Sequence, residues 1–124
     1  MTAQDIIDPA AFAGFFDSLG GDVGFLTELV DEYLASSPGL IAGMHQALAA
    51  GDAATLQRAA HTLKSGSASF GGLAFAAQCK ELEDMGKAGM LDAAPEKLAA
   101  LEAAYSAVAA ALQARLENAR SARG

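Results

Sequence analysis

Glycine punctuates this chain at Gly20-Gly21-Asp22, Gly51-Asp52 and Gly71-Gly72, and again at Gly86 and Gly89, and between these signals the apolar residues recur at helical spacing. Glycine ends a helix cheaply because it adopts left-handed backbone, and an aspartate directly after it can accept from the free amides of the next helix. One apolar set is Leu26, Leu29, Val30, Tyr33 and Leu34, continued beyond Ser37-Pro38 by Leu40, Ile41, Met44, Ala47 and Leu48. The proline permits a kink or a restart, so this stretch reads as one long bent helix or as two. Leu56, Ala59, Ala60, Leu63, Ser67 and Phe70 make a stripe on the next segment. Leu73, Ala76, Leu82 and Met85 follow on a segment of about 73–88 that should fray at Gly86 and Gly89. After Asp92 and Pro95, Leu98, Leu101, Tyr105, Val108, Leu112 and Leu116 form a long seam. Asp8-Pro9, an N-cap residue before a residue favoured at the first helical position, opens a short leading helix. Long amphipathic segments joined by short turns predict an all-α fold, an antiparallel up-down four-helix bundle with a short extra N-terminal helix packed on it. Residues 1–124 form one domain, with its core over about 8–118 and a loose polar tail at 119–124.

Composition supports the helical reading. Apolar residues make up 52% of the chain, and alanine alone about a quarter, with few aromatic or β-branched residues. At 124 residues the chain has room for one buried core without disulfides. A formal net charge of -7 argues against nucleic acid or an anionic membrane as partner, because both need a basic surface. Cys79 has no second cysteine to pair with and reads as a packed free thiol compatible with a reducing compartment. The start, Met1-Thr2-Ala3-Gln4-Asp5, lacks the basic and apolar regions of a signal peptide, and no apolar run is long enough to span a bilayer, which makes the cytoplasm the expected location.

His61 is the residue that composition does not explain. It projects from the side of its helix opposite the Leu56–Phe70 stripe and therefore faces water. Near neutral pH an exposed imidazole offers a ring lone pair and can act as a nucleophile. If the electrophile is a phosphoryl group, Arg58 and Lys64, three residues to either side, are placed to offset the added charge, Lys64 the better of the two. They are two of only eight cations in the chain. Ser65 and Ala68, on the same face, and the glycines at the helix end leave an open approach for a second protein. His45 lies at the edge of its own stripe and reads as structural or surface, and a metal site built from the two histidines is disfavoured by their spacing. General-base catalysis by His61 is disfavoured too, since the sequence puts no acid beside it. Phe12, Phe15 and Phe16 read as core packing, with one of them available as an apolar patch for a partner. No phosphate-binding glycine loop, nucleotide fingerprint or kinase signature is present in the sequence.

The run Ala60-His61-Thr62-Leu63-Lys64-Ser65-Gly66-Ser67-Ala68, with Gly71 ten residues after the histidine, resembles the motif of the histidine-containing phosphotransfer (HPt) domain, alanine-His-x-Leu-Lys-Gly-Ser-Ser/Ala. Downstream, Gly71 to Glu83 is similar to that family's following helix, and upstream Phe25 to Leu34, Pro38, Leu40 and Gly51-Asp52 resemble its bent helix. One position departs: the family's glycine after the lysine is Ser65 here, and the glycine comes next, at Gly66. The resemblance implies a phosphorelay carrier without kinase activity. In it His61 accepts the phosphoryl group, Lys64 supports it electrostatically, and the small residues of this face let a receiver dock; Arg58 is a further candidate for charge support from its spacing, and Gln57, Ser65, Ala68, Gly72 and Phe15 are the candidate partner contacts. It implies no cofactor of the chain's own, Mg2+ being held by the partner, and as partners the receiver domains of response regulators or of a hybrid histidine kinase. A monomer is expected. Two alternatives stay open: an adaptor that binds receivers without accepting phosphate, and an excised domain of a hybrid kinase. Helix caps at both ends favour a free-standing protein over the latter.

Overall fold

The computed structural model describes residues 6–123. From Pro9 onward the described residues form five helices in order: α1 (Pro9–Ser18), α2 (Val23–Ala50), α3 (Ala53–Ser69), α4 (Leu73–Ala88) and α5 (Ala94–Arg123). The four long helices run alternately up and down, with α3 against α4, α4 against α5, α5 against α2 and α2 against α3, and α1 lies across one end on α3. The predicted all-α bundle with its short leading helix is what the chain forms. No described helix is long and apolar enough to cross a membrane.

The three predicted aspartate caps are made. Asp8, Asp22 and Asp52 accept from the amides of Ala11, Phe25 and Thr55 at 2.9, 3.1 and 3.1 Å, each cap contributing about 1 kcal/mol. Gly51 and Gly89 close α2 and α4 in left-handed backbone, at φ 67° and 69°. Leu26, Val30, Met44, Leu56, Leu82, Leu98, Leu101 and Leu112 are wholly buried along the bundle axis. Buried with them is a polar chain. The Tyr33 hydroxyl and Ser67 Oγ share a hydrogen bond of 2.7 Å, Ser67 Oγ also donates to Leu63 O, and Ser37 Oγ donates to Tyr33 O at 2.6 Å. Cys79 is fully buried, and burial pushes its thiol up to about 12.

Of the two readings left open at Pro38, one helix or two, the chain forms one: Pro38 lies inside a continuous α2. The structure departs from the sequence reading at two points. The helix α5 runs on to Arg123, past the point near 118 where a loose tail was expected. Gly86 does not fray α4. It is buried in the helix at a point where a Cβ would stand 2.7 Å from Ala53 O and 2.8 Å from Gln57 N, so its missing side chain is what lets α4 lie against α3. Gly71 has a comparable reason to be glycine: its φ is 92°, and a Cβ would meet Asp8 O at 2.9 Å, where Asp8 N donates to Gly71 O.

Candidate functional site

Helix α3 buries Leu56, Ala60, Leu63 and Ser67 and leaves the opposite face in water. His61 is on that face, its side chain 59% exposed, as the helical spacing predicts. Its surroundings contain a group that the sequence reading lacks. Glu83, from α4, places Oε2 2.8 Å from His61 Nδ1 and Oε1 2.5 Å from Lys64 Nζ. One carboxylate thus holds both the imidazole and the lysine. The Lys64 hydrogen bond, and after it the one from His61, keeps the Glu83 carboxyl below the usual carboxylate range. Gly86 lies one turn beyond Glu83 and closes α4 onto the Ala53–Gln57 turn of α3, which brings a carboxylate from the second helix within reach of the imidazole.

The expectation that His61 has no acid beside it is therefore corrected. The acid is 22 residues away in sequence and in contact through packing. Glu83 stands inside the motif-like downstream run, but helical geometry on α3 alone projects only α3's own side chains and could not pick it out.

The other predicted residues fall into two groups. Gln57, Arg58 and Thr62 border a hollow beside His61 and Glu83. Arg58 is exposed, and its Nη2 donates to Thr55 Oγ1 at 3.1 Å. Lys64 is half-buried and committed to Glu83. Ser65 is exposed, with Oγ donating to His61 O at 3.1 Å, and Ala68 is exposed further along the same helix. Gly72 is different. It is buried in the α3–α4 turn, its amide donating to Ser67 O at 2.8 Å and its Cα side facing Ile7, so its part is to make the turn and it offers no surface to a partner. Phe15 is half-buried, edge-on to Phe70 at 5.2 Å, and with Leu29, Tyr33, Leu40, Thr62 and Gly66 it lines a groove of about 260 Å³ running alongside the histidine helix. Phe12 is core.

The Ser65-Gly66 order has a packing reason. A Cβ at Gly66 would stand 3.1 Å from Tyr33 Cδ1. The Tyr33 ring is pinned by Ser67 and by edge contact with Phe70 at 5.3 Å, so it has little freedom to give way. Position 65 points to solvent and accepts a side chain. His45, as expected, is a surface residue, with Nε2 2.8 Å from Glu102 Oε1 between α2 and α5.

No curated protein sequence matches the chain. Among solved structures, the chain is similar to the crystal structure of histidine-containing phosphotransfer protein B from Pseudomonas aeruginosa PAO1. The TM-score is 0.80 and the identity 27%, over 91% of this chain and 96% of that one. The family model described as Hpt domain matches residues 28–121, which span α3 with His61, α4 with Glu83 and most of α2 and α5. A bundle of this topology, an exposed histidine in the matching motif and a family match over most of its length lead to one conclusion: the chain belongs to the Hpt domain family, the histidine phosphotransfer domains of phosphorelays.

Proposed function

We propose that His61 takes a phosphoryl group from the aspartyl phosphate of a receiver domain and returns it to the aspartate of another, with Nε2 as the reacting atom. The observation that carries this reading is the 2.8 Å contact between His61 Nδ1 and Glu83 Oε2 on an otherwise exposed ring. A carboxylate has no proton to give, so Nδ1 is the protonated nitrogen and donates, and the lone pair is on Nε2.

The Nε2 lone pair attacks phosphorus in line while the bond from phosphorus to the aspartate oxygen breaks, and the aspartate leaves as a carboxylate. No proton has to move. Nδ1 keeps its hydrogen, the ring becomes cationic, and the Glu83 carboxylate already faces that charge. Return of the group to a second aspartate reverses each bond change. The chain supplies a positioned nucleophile and local charge, while Mg2+ and the carboxylate acceptor belong to the receiver. It is a carrier and not a kinase.

The groove between α1, α2 and α3 suits receiver docking. It begins at Thr62, next to His61, and is lined by apolar and small side chains such as Phe15, Leu29 and Leu40. Exposed Ser65 and Ala68 keep the approach to the ring low. The test is incubation with a phosphorylated receiver, followed by measurement of acid-labile, base-stable label on the chain. Transfer undiminished in His61→Gln would overturn the assignment.

A further inference from the structure

Two cations flank His61, and the structure puts them in different states. Lys64 Nζ is 2.5 Å from Glu83 Oε1, its side chain only 28% exposed, and the carboxylate it neutralises is itself 15% exposed. Drawing Lys64 away would leave Glu83 poorly solvated and short of its main counter-charge. Arg58 is exposed and enters none of the ion pairs among the described residues. Its Nη2 donates to the neutral Thr55 hydroxyl, which in turn donates to Asp52 Oδ2 at 2.6 Å, and its charge acts on that exposed carboxylate through space without an ion-pair contact.

The space beside the ring is on the Arg58 side. A hollow is lined by Gln57, Arg58, His61, Thr62 and Glu83, that is, by the helical turn preceding His61 on one side and by α4 on the other. Helical side chains lean over the turn N-terminal to their own Cα, which carries the His61 ring toward Gln57 and Arg58. With Nδ1 taken by Glu83, a group attached to Nε2 extends into space that Arg58, one turn back on the same face, can sweep.

We propose that this hollow seats the phosphoryl group on His61, and that the Arg58 guanidinium is the cation that binds it, with the Gln57 amide as a second donor. Lys64 then acts one step removed, by neutralising Glu83, which would otherwise repel the phosphoryl oxygens from across the hollow. Guanidinium is well matched to this seat, because its planar fork can donate two parallel hydrogen bonds to phosphoryl oxygens, and the swing from Thr55 gives up one hydrogen bond to a neutral hydroxyl and a solvent-screened attraction to the exposed Asp52 carboxylate. The proposal rests on His61 being the acceptor.

The experiment equilibrates the full chain with a radiolabelled phosphorylated receiver and measures how label divides between the two proteins, for the wild type, Arg58→Gln, Arg58→Lys, Lys64→Gln, Glu83→Gln and the Lys64→Gln/Glu83→Gln pair. Arg58→Gln should lower the share on His61 about tenfold, and Arg58→Lys should recover part of it, as a point charge does for a lost fork. The Lys64→Gln loss should largely vanish in the Glu83→Gln background. Circular dichroism checks that the variants fold, which the exposed position of Arg58 favours. Wild-type partition in Arg58→Gln, or a Lys64→Gln loss of the same size with and without Glu83, overturns the proposal while leaving His61 as acceptor. Failure of the wild-type chain to take label overturns the acceptor assignment and the seat with it.

Discussion

Glu83 Oε2 stands 2.8 Å from His61 Nδ1 while its other oxygen holds Lys64, so a single carboxylate from α4 fixes the ring and the lysine of α3 together. Glu83→Gln preserves an acceptor of the same size and removes the charge that faces the ring as it becomes cationic. A hydrogen bond to a charged group contributes about 1.5–3 kcal/mol, so phosphorylation of His61 should slow by roughly 10- to 100-fold, read as single-turnover transfer from a phosphorylated receiver. Nitrogen-15 NMR of the phosphorylated wild type should place the modification on Nε2. Modification at Nδ1 would exclude the tautomer that Glu83 sets.

The same carboxylate makes stability depend on acid. Lys64 foremost, with His61, holds the Glu83 carboxyl below its ordinary range in the folded chain. The folded state therefore gives up that proton more readily than the unfolded state. The resulting stabilisation is complete above the unfolded carboxylate value, about 4.3, and is lost as pH falls through the lower folded value. Urea midpoints of the wild type and Glu83→Gln should differ most near neutrality and converge in acid. A gap of constant size across that range would show that the ion cluster contributes nothing to the difference.

Gly86→Ala should destabilise the bundle by about 1–3 kcal/mol, although alanine is the better helix former by about 1 kcal/mol. The added Cβ would meet Ala53 O and Gln57 N, and α4 has to back away from α3. Phosphotransfer should fall along with stability, because Glu83 retreats with the helix. Gly43→Ala is the control: nothing lies within 4 Å of a Cβ there, and that variant should be as stable as wild type or more so. Chemical denaturation of the two variants side by side separates packing from propensity.

Gly66 and Tyr33 should prove coupled. Gly66→Ala pushes a Cβ against Tyr33 Cδ1, whereas in a Tyr33→Ala background the same methyl meets no ring. A double-mutant cycle on unfolding free energies should give a coupling of roughly 0.5–3 kcal/mol, and additivity would mean that the order Ser65-Gly66 has another cause.

Much of the fold is written in local signals. The aspartate caps, the glycine turns and the Leu56–Phe70 stripe each follow from a few adjacent residues, and each appears where the sequence predicts it. The stripe also fixes the exposure of His61, since a helix that buries one face must present the other. What local signals do not carry is the register between helices. Gly86 looks like a breaker in sequence and becomes a contact point only when α3 lies opposite it. Glu83 looks like one acid among fifteen until that contact places it beside His61. Pro38 leaves one helix or two open in sequence, and it is the burial of Tyr33 and Ser37 before it and of Ile41 and Met44 after it that keeps α2 in one piece.

Because Gly86 lets α4 lie against α3, histidine and carboxylate come from two segments that meet only when the bundle has closed. An isolated α3 peptide, or a chain still unfolded on the ribosome or under a chaperone, carries the imidazole without the partner that selects its tautomer and receives its charge. Competence to relay is then conferred by tertiary assembly, and a chain that fails to assemble drops out of the circuit quietly, leaving its partners' phosphate where it was.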